Sequence, residues 1–79
     1  MPSSPHRQAI LAAQAGHWDE AHRIVQALED PLGCWIHAIL HKIEGDTANA
    51  RYWYARAPGH HHADFEDPVR ELAEALTHC

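Results

Sequence analysis

Three times in this chain a short polar residue is followed at once by proline: Ser4-Pro5, Asp30-Pro31 and Asp67-Pro68. A side-chain oxygen at the first position can accept from an unpaired N–H in the first turn of a helix. Proline at the second position lacks the N–H that would be unpaired there, and its fixed φ suits a helix start. Three such pairs therefore predict three helix starts, and they set the spacing into which every other element must fit. Met1–Ser3, ahead of the first pair, is expected to be a loose end.

Between these starts the apolar residues follow helical spacing. The first helix is expected over Pro5–Gln14, rich in alanine around Ile10 and Leu11 and closed by Gly16. A second is expected over 18–28, with Trp18, Ala21, Ile24, Val25 and Leu28 on one face and Asp19 and Glu20 in its first turn, where the helix dipole favours negative charge. The third, Pro31–Ile43, carries a stripe of Leu32, Trp35, Ile36, Ile39, Leu40 and Ile43 and is closed by Gly45, with Gly33 a minor weakness near its start. A fourth over 47–57 is stopped by Pro58-Gly59, and a fifth over 68–77 places Val69, Leu72, Ala73 and Leu76 together, with Arg70, Glu71 and Glu74 turned away from that face. Residues 58–66 form a polar, histidine-rich connector. No stretch alternates apolar and polar residues, so no strand is expected.

At 79 residues the chain is expected to be a single domain. A domain this small buries only about 60–65% of its unfolded surface, so it must pack efficiently or lean on a partner. The formal charge of −5 and the scatter of the six Lys and Arg residues argue against nucleic acid as a partner. No apolar run approaches the roughly 20 residues of a membrane span, and MPSSPHRQ is not a basic-then-apolar leader. Two cysteines, Cys34 and Cys79, do not make a disulfide framework. A cytoplasmic setting is the expectation. Nine histidines are the unusual feature; protonating them all would carry the formal charge from −5 to +4, so surface charge is expected to change strongly through about pH 6.5.

Residues 15–28, AGHWDEAHRIVQAL, align with 44–57, EGDTANARYWYARA, at an offset of 29 residues: Gly16 with Gly45, Ala21 with Ala50, Val25 with Tyr54, Leu28 with Ala57. Each copy has a helix, a glycine turn and a second helix with a small residue near its start, which allows close helix approach. This pattern resembles the second half of a tetratricopeptide repeat, and ARYWYARA at 50–57 is similar to the Sel-like branch of that family. The chain also resembles small uncharacterised bacterial proteins sharing a W-I-H-A-x-L-H…E-G-D…Y-W-Y stretch. The resemblance implies an all-α fold of five short helices: two tetratricopeptide-like hairpins, 5–28 and 31–57, and a C-terminal capping helix over 67–78. It also implies a binding function, since such repeats stack into an arc that holds a peptide or partner protein.

Two functions from different classes fit these features. The first is a non-enzymatic module for a protein or peptide partner, without a cofactor and open to homodimerisation. Tyr52, Trp53 and Tyr54 cover three directions of one helix and cannot all face one core. Trp35, Lys42, Arg51, Trp53, Tyr54 and Arg56 are the contact candidates, aromatics beside cations being typical of interface hot spots. The alternative is a site for a divalent transition metal such as zinc, nickel or copper. His37, His41 and Glu44, at i, i+4 and i+7, put two imidazoles and a carboxylate on one side of the third helix. The His60-His61-His62 cluster beside Asp64 is a second candidate, to which His78 and Cys79 could add soft ligands. The bland alternative for His37 and His41 is a pair of solvated residues beside the apolar stripe, or His41 packed on the fourth helix. An enzyme using Cys34 with His37 as base is not expected, because no orienting acid or oxyanion donors accompany them.

Overall fold

Each of the three cap-proline pairs opens a helix in the computed structural model, which describes residues 4–79; the loose end expected at Met1–Ser3 lies outside the described residues. The helices are α1 (Pro5–Gln14), α2 (Trp18–Val25), α3 (Pro31–Ile43), α4 (Thr47–Tyr54) and α5 (Pro68–Leu76). A 3-10 turn at His62–Asp64 lies in the connector, and no strand occurs among the described residues. The fold is all-α, and no helix is long and apolar enough to cross a membrane among the described residues. Helices α2 and α4 end about a turn earlier than expected. Their last residues tighten instead into i→i+3 bonds, Leu28 N–H to Val25 O at 2.9 Å and Ala57 N–H to Tyr54 O at 2.9 Å.

The caps divide in an informative way. Ser4 Oγ accepts from Arg7 N–H at 3.2 Å and Asp67 Oδ1 from Val69 N–H at 2.9 Å. Asp30 makes no side-chain cap bond; its carboxylate is taken by His6 Nε2 at 2.9 and 2.8 Å, which ties the start of α3 to α1. Helix α4, which has no proline, is capped by Asp46 Oδ1 accepting from Asn49 N–H at 3.1 Å.

Both interhelical turns close in the same manner, 29 residues apart. Gly16 N–H bonds to Ala13 O and His17 N–H to Ala12 O; Gly45 N–H bonds to Lys42 O and Asp46 N–H to His41 O. The two glycines sit at φ +83° and +82°, the left-handed residue such a helix end requires. The turns fold α1 onto α2 and α3 onto α4, and α5 closes the bundle against α1 and α3.

Helix α3 is the axis. Packed against α1, α2, α4 and α5, it is buried continuously from Gly33 to His41. The expected one-sided stripe gives way to burial all round, because four neighbours leave no solvent face over that length. Gly33 is a packing requirement: a Cβ there would come within 2.5 Å of Leu28 Cβ and 2.9 Å of Asp30 Oδ1.

A buried polar hub joins α3, α4 and α5. Glu71, 1% exposed, accepts through Oε2 from Trp35 Nε1–H at 2.9 Å and from Tyr54 O–H at 2.6 Å, and through Oε1 from Lys42 Nζ at 2.9 Å. Lys42 donates also to His62 O at 2.8 Å and to Phe65 O, so all three ammonium protons have acceptors. This corrects the expectation that Glu71 faces away from the core. Burial and the adjacent Glu71 carboxylate push the Tyr54 phenol far above its usual range. The hub pins α5 and the connector to the bundle.

Two substitutions test the fold. Gly33→Ala gains about 1 kcal/mol of helix propensity but incurs about 1–3 kcal/mol of overpacking against Leu28. It is therefore expected to lower the urea midpoint, where an exposed helical glycine would raise it. Tyr54→Phe removes one donor to a charged, buried acceptor and should cost about 1.5–3 kcal/mol in the same measurement.

Candidate metal centre

Helices α2 and α3 bring three imidazoles together. His37 and His41 stand one turn apart on α3, 4% and 7% exposed, and His22 reaches them from α2, half-buried. One ring nitrogen from each of the three lies within 4.8 Å of the other two. His22 Nε2 and His37 Nε2 are 3.2 Å apart. Two metal–nitrogen bonds of about 2.05 Å at a tetrahedral angle place their nitrogens about 3.3–3.4 Å apart, so this pair already has ligand spacing.

Glu44 enters through His41. Its Oε1 lies 2.7 Å from His41 Nδ1. A carboxylate accepts, so in the neutral ring Nδ1 carries the proton and Nε2 keeps its lone pair. This is the carboxylate–histidine arrangement that orients ligating imidazoles in metal sites. His41, Glu44 and Asp46 also satisfy the same proximity condition. Asp46, however, is occupied in capping α4: its two oxygens accept from Asn49 N–H and, at 2.9 Å, from Asn49 Nδ2.

Two tryptophans wall the cluster. Trp18 stacks on His22 with centroids 4.7 Å apart and meets His41 edge-on at 5.9 Å. It is held there by its Nε1–H bond to Leu40 O at 2.7 Å. Trp53 stacks on His37 at 3.9 Å. Burial, reinforced by His22 and His41, pushes His37 down to about 4; burial and His41 also lower His22, against the pull of Glu44 and Asp19. Both effects hold the rings in the neutral form that ligates metal. His37 Nδ1 is buried with no hydrogen-bond partner. Leaving a buried polar atom unpaired costs about 1–3 kcal/mol, and an ion bound at the Nε2 atoms of His22 and His37 would not relieve it.

Of the residues expected to act here, His37 and His41 come together as the i, i+4 spacing implied, buried rather than solvated. Glu44 stands behind His41 instead of beside it as a third donor. His22 was missed. Its signal was present, since Trp18–His22 and His37–His41 are ring pairs at the same i, i+4 spacing on successive helices.

The other candidates scatter. His60 stacks on Trp35 at 3.7 Å, His61 lies 3.6 Å from Asp64, and His62 meets Tyr54 edge-on at 5.8 Å. The three adjacent imidazoles thus take three different partners and form no three-donor group among the described residues. His78 does approach His60, with centroids 6.3 Å apart against Trp35, while Cys79 Sγ turns to Ala75 O. Cys34 is buried with its thiol near Glu29 O, and burial raises its pKa, the opposite of an activated nucleophile.

The six partner-contact candidates divide evenly. Trp35, Lys42 and Tyr54 converge inward on Glu71, so their polar groups are committed to it and not free for a partner; here the structure corrects the expectation, because Glu71 needs their donors. Arg51 and Arg56 are exposed and Trp53 is half-buried. Arg56 lies over the exposed Tyr52 ring at 5.2 Å and donates to its hydroxyl at 3.1 Å. An open groove of about 490 Å³ runs between α4 and the connector, lined by Arg51, Tyr54 and His60–His62. No family model, curated protein or solved structure matches this chain.

The low His37 value also changes the expected charge response. With His22, His37 and His60 all shifted down, part of the rise in positive charge is deferred to below pH 6.5. Its effect on stability has a definite sign. Between 6.5 and about 4 the unfolded chain binds a proton at His37 that the folded chain refuses. The metal-free protein should therefore lose stability as pH falls through that window, by at most about 1.4 kcal/mol per pH unit from this group. Urea unfolding at a series of pH values should show the slope, and His37→Phe should flatten it.

Proposed function

We propose that this protein binds a divalent transition-metal ion through His22, His37 and His41. The observation that carries this reading is three imidazoles from two helices with one nitrogen each already grouped within 4.8 Å, two of them buried. Three neutral nitrogen donors suit zinc, copper or nickel over the oxygen-seeking calcium and magnesium. The stacked tryptophans and the Glu44 contact support it further, because they fix the ring planes and the His41 tautomer before any ion arrives. Such preorganisation reduces the ordering cost of binding.

A protein-binding surface is the second reading, favoured by the open groove beside Arg51 and by the exposed Tyr52–Arg56 pair. The metal reading rests on more of the buried structure.

Titration calorimetry with zinc and with nickel separates them. Wild type should bind one ion with micromolar or tighter affinity, and His22→Ala and His37→Ala should each abolish that binding. Glu44→Gln, which keeps the shape and weakens the acceptor, should loosen it roughly 10–100-fold. His61→Ala should leave it unchanged. Binding that survives His37→Ala but disappears with His61→Ala would move the ion to the connector and defeat the proposal.

A further inference from the structure

A metal ion at the three-histidine cluster would be either closed off by protein or left with a free coordination position. Tetrahedral structural sites take four protein ligands, and three protein ligands leave the fourth for solvent or a bound molecule. The polar side chains around this cluster are committed elsewhere. Glu44 holds His41 Nδ1, and Asp46 caps α4 with both oxygens on Asn49. Trp18 Nε1–H is a donor, already bonded to Leu40 O, and cannot ligate. Trp53 offers His37 a ring face. No fourth His, Cys, Asp or Glu joins the group of three among the described residues.

Exposure is graded across the same group. His37 and His41 are buried on α3, whereas His22 is half-buried on α2. The cluster therefore approaches solvent at His22, on its α2 side, where Trp18 stacks. Charge points the same way. Three neutral imidazoles leave the full charge of a divalent ion uncompensated by its ligands, and Glu44 acts on it only through the His41 ring. A partly desolvated cation with a vacant position attracts water or, better, a small anion.

We infer that the metal ion held by His22, His37 and His41 keeps one coordination position for an exogenous donor, and that this position accepts a small monovalent anion. The inference rests on the metal reading above and deepens it. It makes the centre one at which a ligand can be exchanged, rather than a structural clamp. The flanking indoles restrict the entrant to something small.

Cobalt(II) with sodium azide as probe tests this on the full chain. Calorimetry first measures cobalt binding, and the visible ligand-field spectrum then reports its coordination. The expected result is one cobalt per chain, followed by a saturable shift of the visible bands with one azide per cobalt. Glu44→Gln protein, loaded to saturation, should show the same azide shift, because Glu44 does not occupy the fourth position. Cobalt binding with a spectrum unmoved by excess azide would overturn the open position and leave the metal site standing. An azide shift that appears only in Glu44→Gln would also overturn it, since the carboxylate would then be the fourth ligand. Absence of cobalt binding at His22, His37 and His41 would overturn both readings together.

Discussion

The burial of α3 on every side is the constraint on which the rest depends. A helix surrounded by four others can carry polar side chains only where its neighbours supply partners or where the unpaired cost is tolerated. Two groups of polar residues on α3 meet that condition in opposite ways. Trp35 and Lys42 are fully partnered through Glu71 and the connector carbonyls. His37 and His41 are partnered mostly by other rings, with one nitrogen of His37 left unpaired.

That difference separates a structural network from a candidate site. In the Glu71 hub every donor and acceptor has a mate, and burying the charges yields a specific docking of α5 and the connector. The histidine cluster is under-satisfied, crowded with like groups that disfavour one another's protonation, and walled by aromatic rings. A small domain with a limited core has little stability to spare for such an arrangement. An ion seated there would exchange the His22–His37 hydrogen bond for three metal–nitrogen bonds, and its binding free energy would add to folding stability.

The short helices matter because they place the rings. The Schellman turns at Gly16 and Gly45 fold α2 and α4 back along their partner helices, and both reach the α3 histidines: Trp18 and His22 from α2, Trp53 from α4. The Tyr52–Trp53–Tyr54 run resolves accordingly. Tyr52 points to solvent beneath Arg56, Trp53 lies on His37, and Tyr54 enters the hub. Three adjacent rings on one helix thus serve the surface, the candidate metal centre and the core.

Local features were legible in the sequence because they depend on nearest neighbours. Cap-proline pairs, the two glycine turns, the five helices and the one-turn spacing of His37 and His41 follow from backbone geometry within a few residues. What came from tertiary structure was every property that depends on which helix lies across from which. His22 joins the cluster because α2 packs over the His37 side of α3, a relation separated by 15 residues in the chain. Glu71 looked like a surface acid from helical periodicity and became the centre of the core, because donors on α3 and α4 converge on it from 36 and 17 residues away. Gly33 looked like a weak helix residue until Leu28 was seen against it. Sequence periodicity tells which side of a helix a residue occupies; only packing tells what waits on that side, and the chemistry of a buried polar group is set by what it meets.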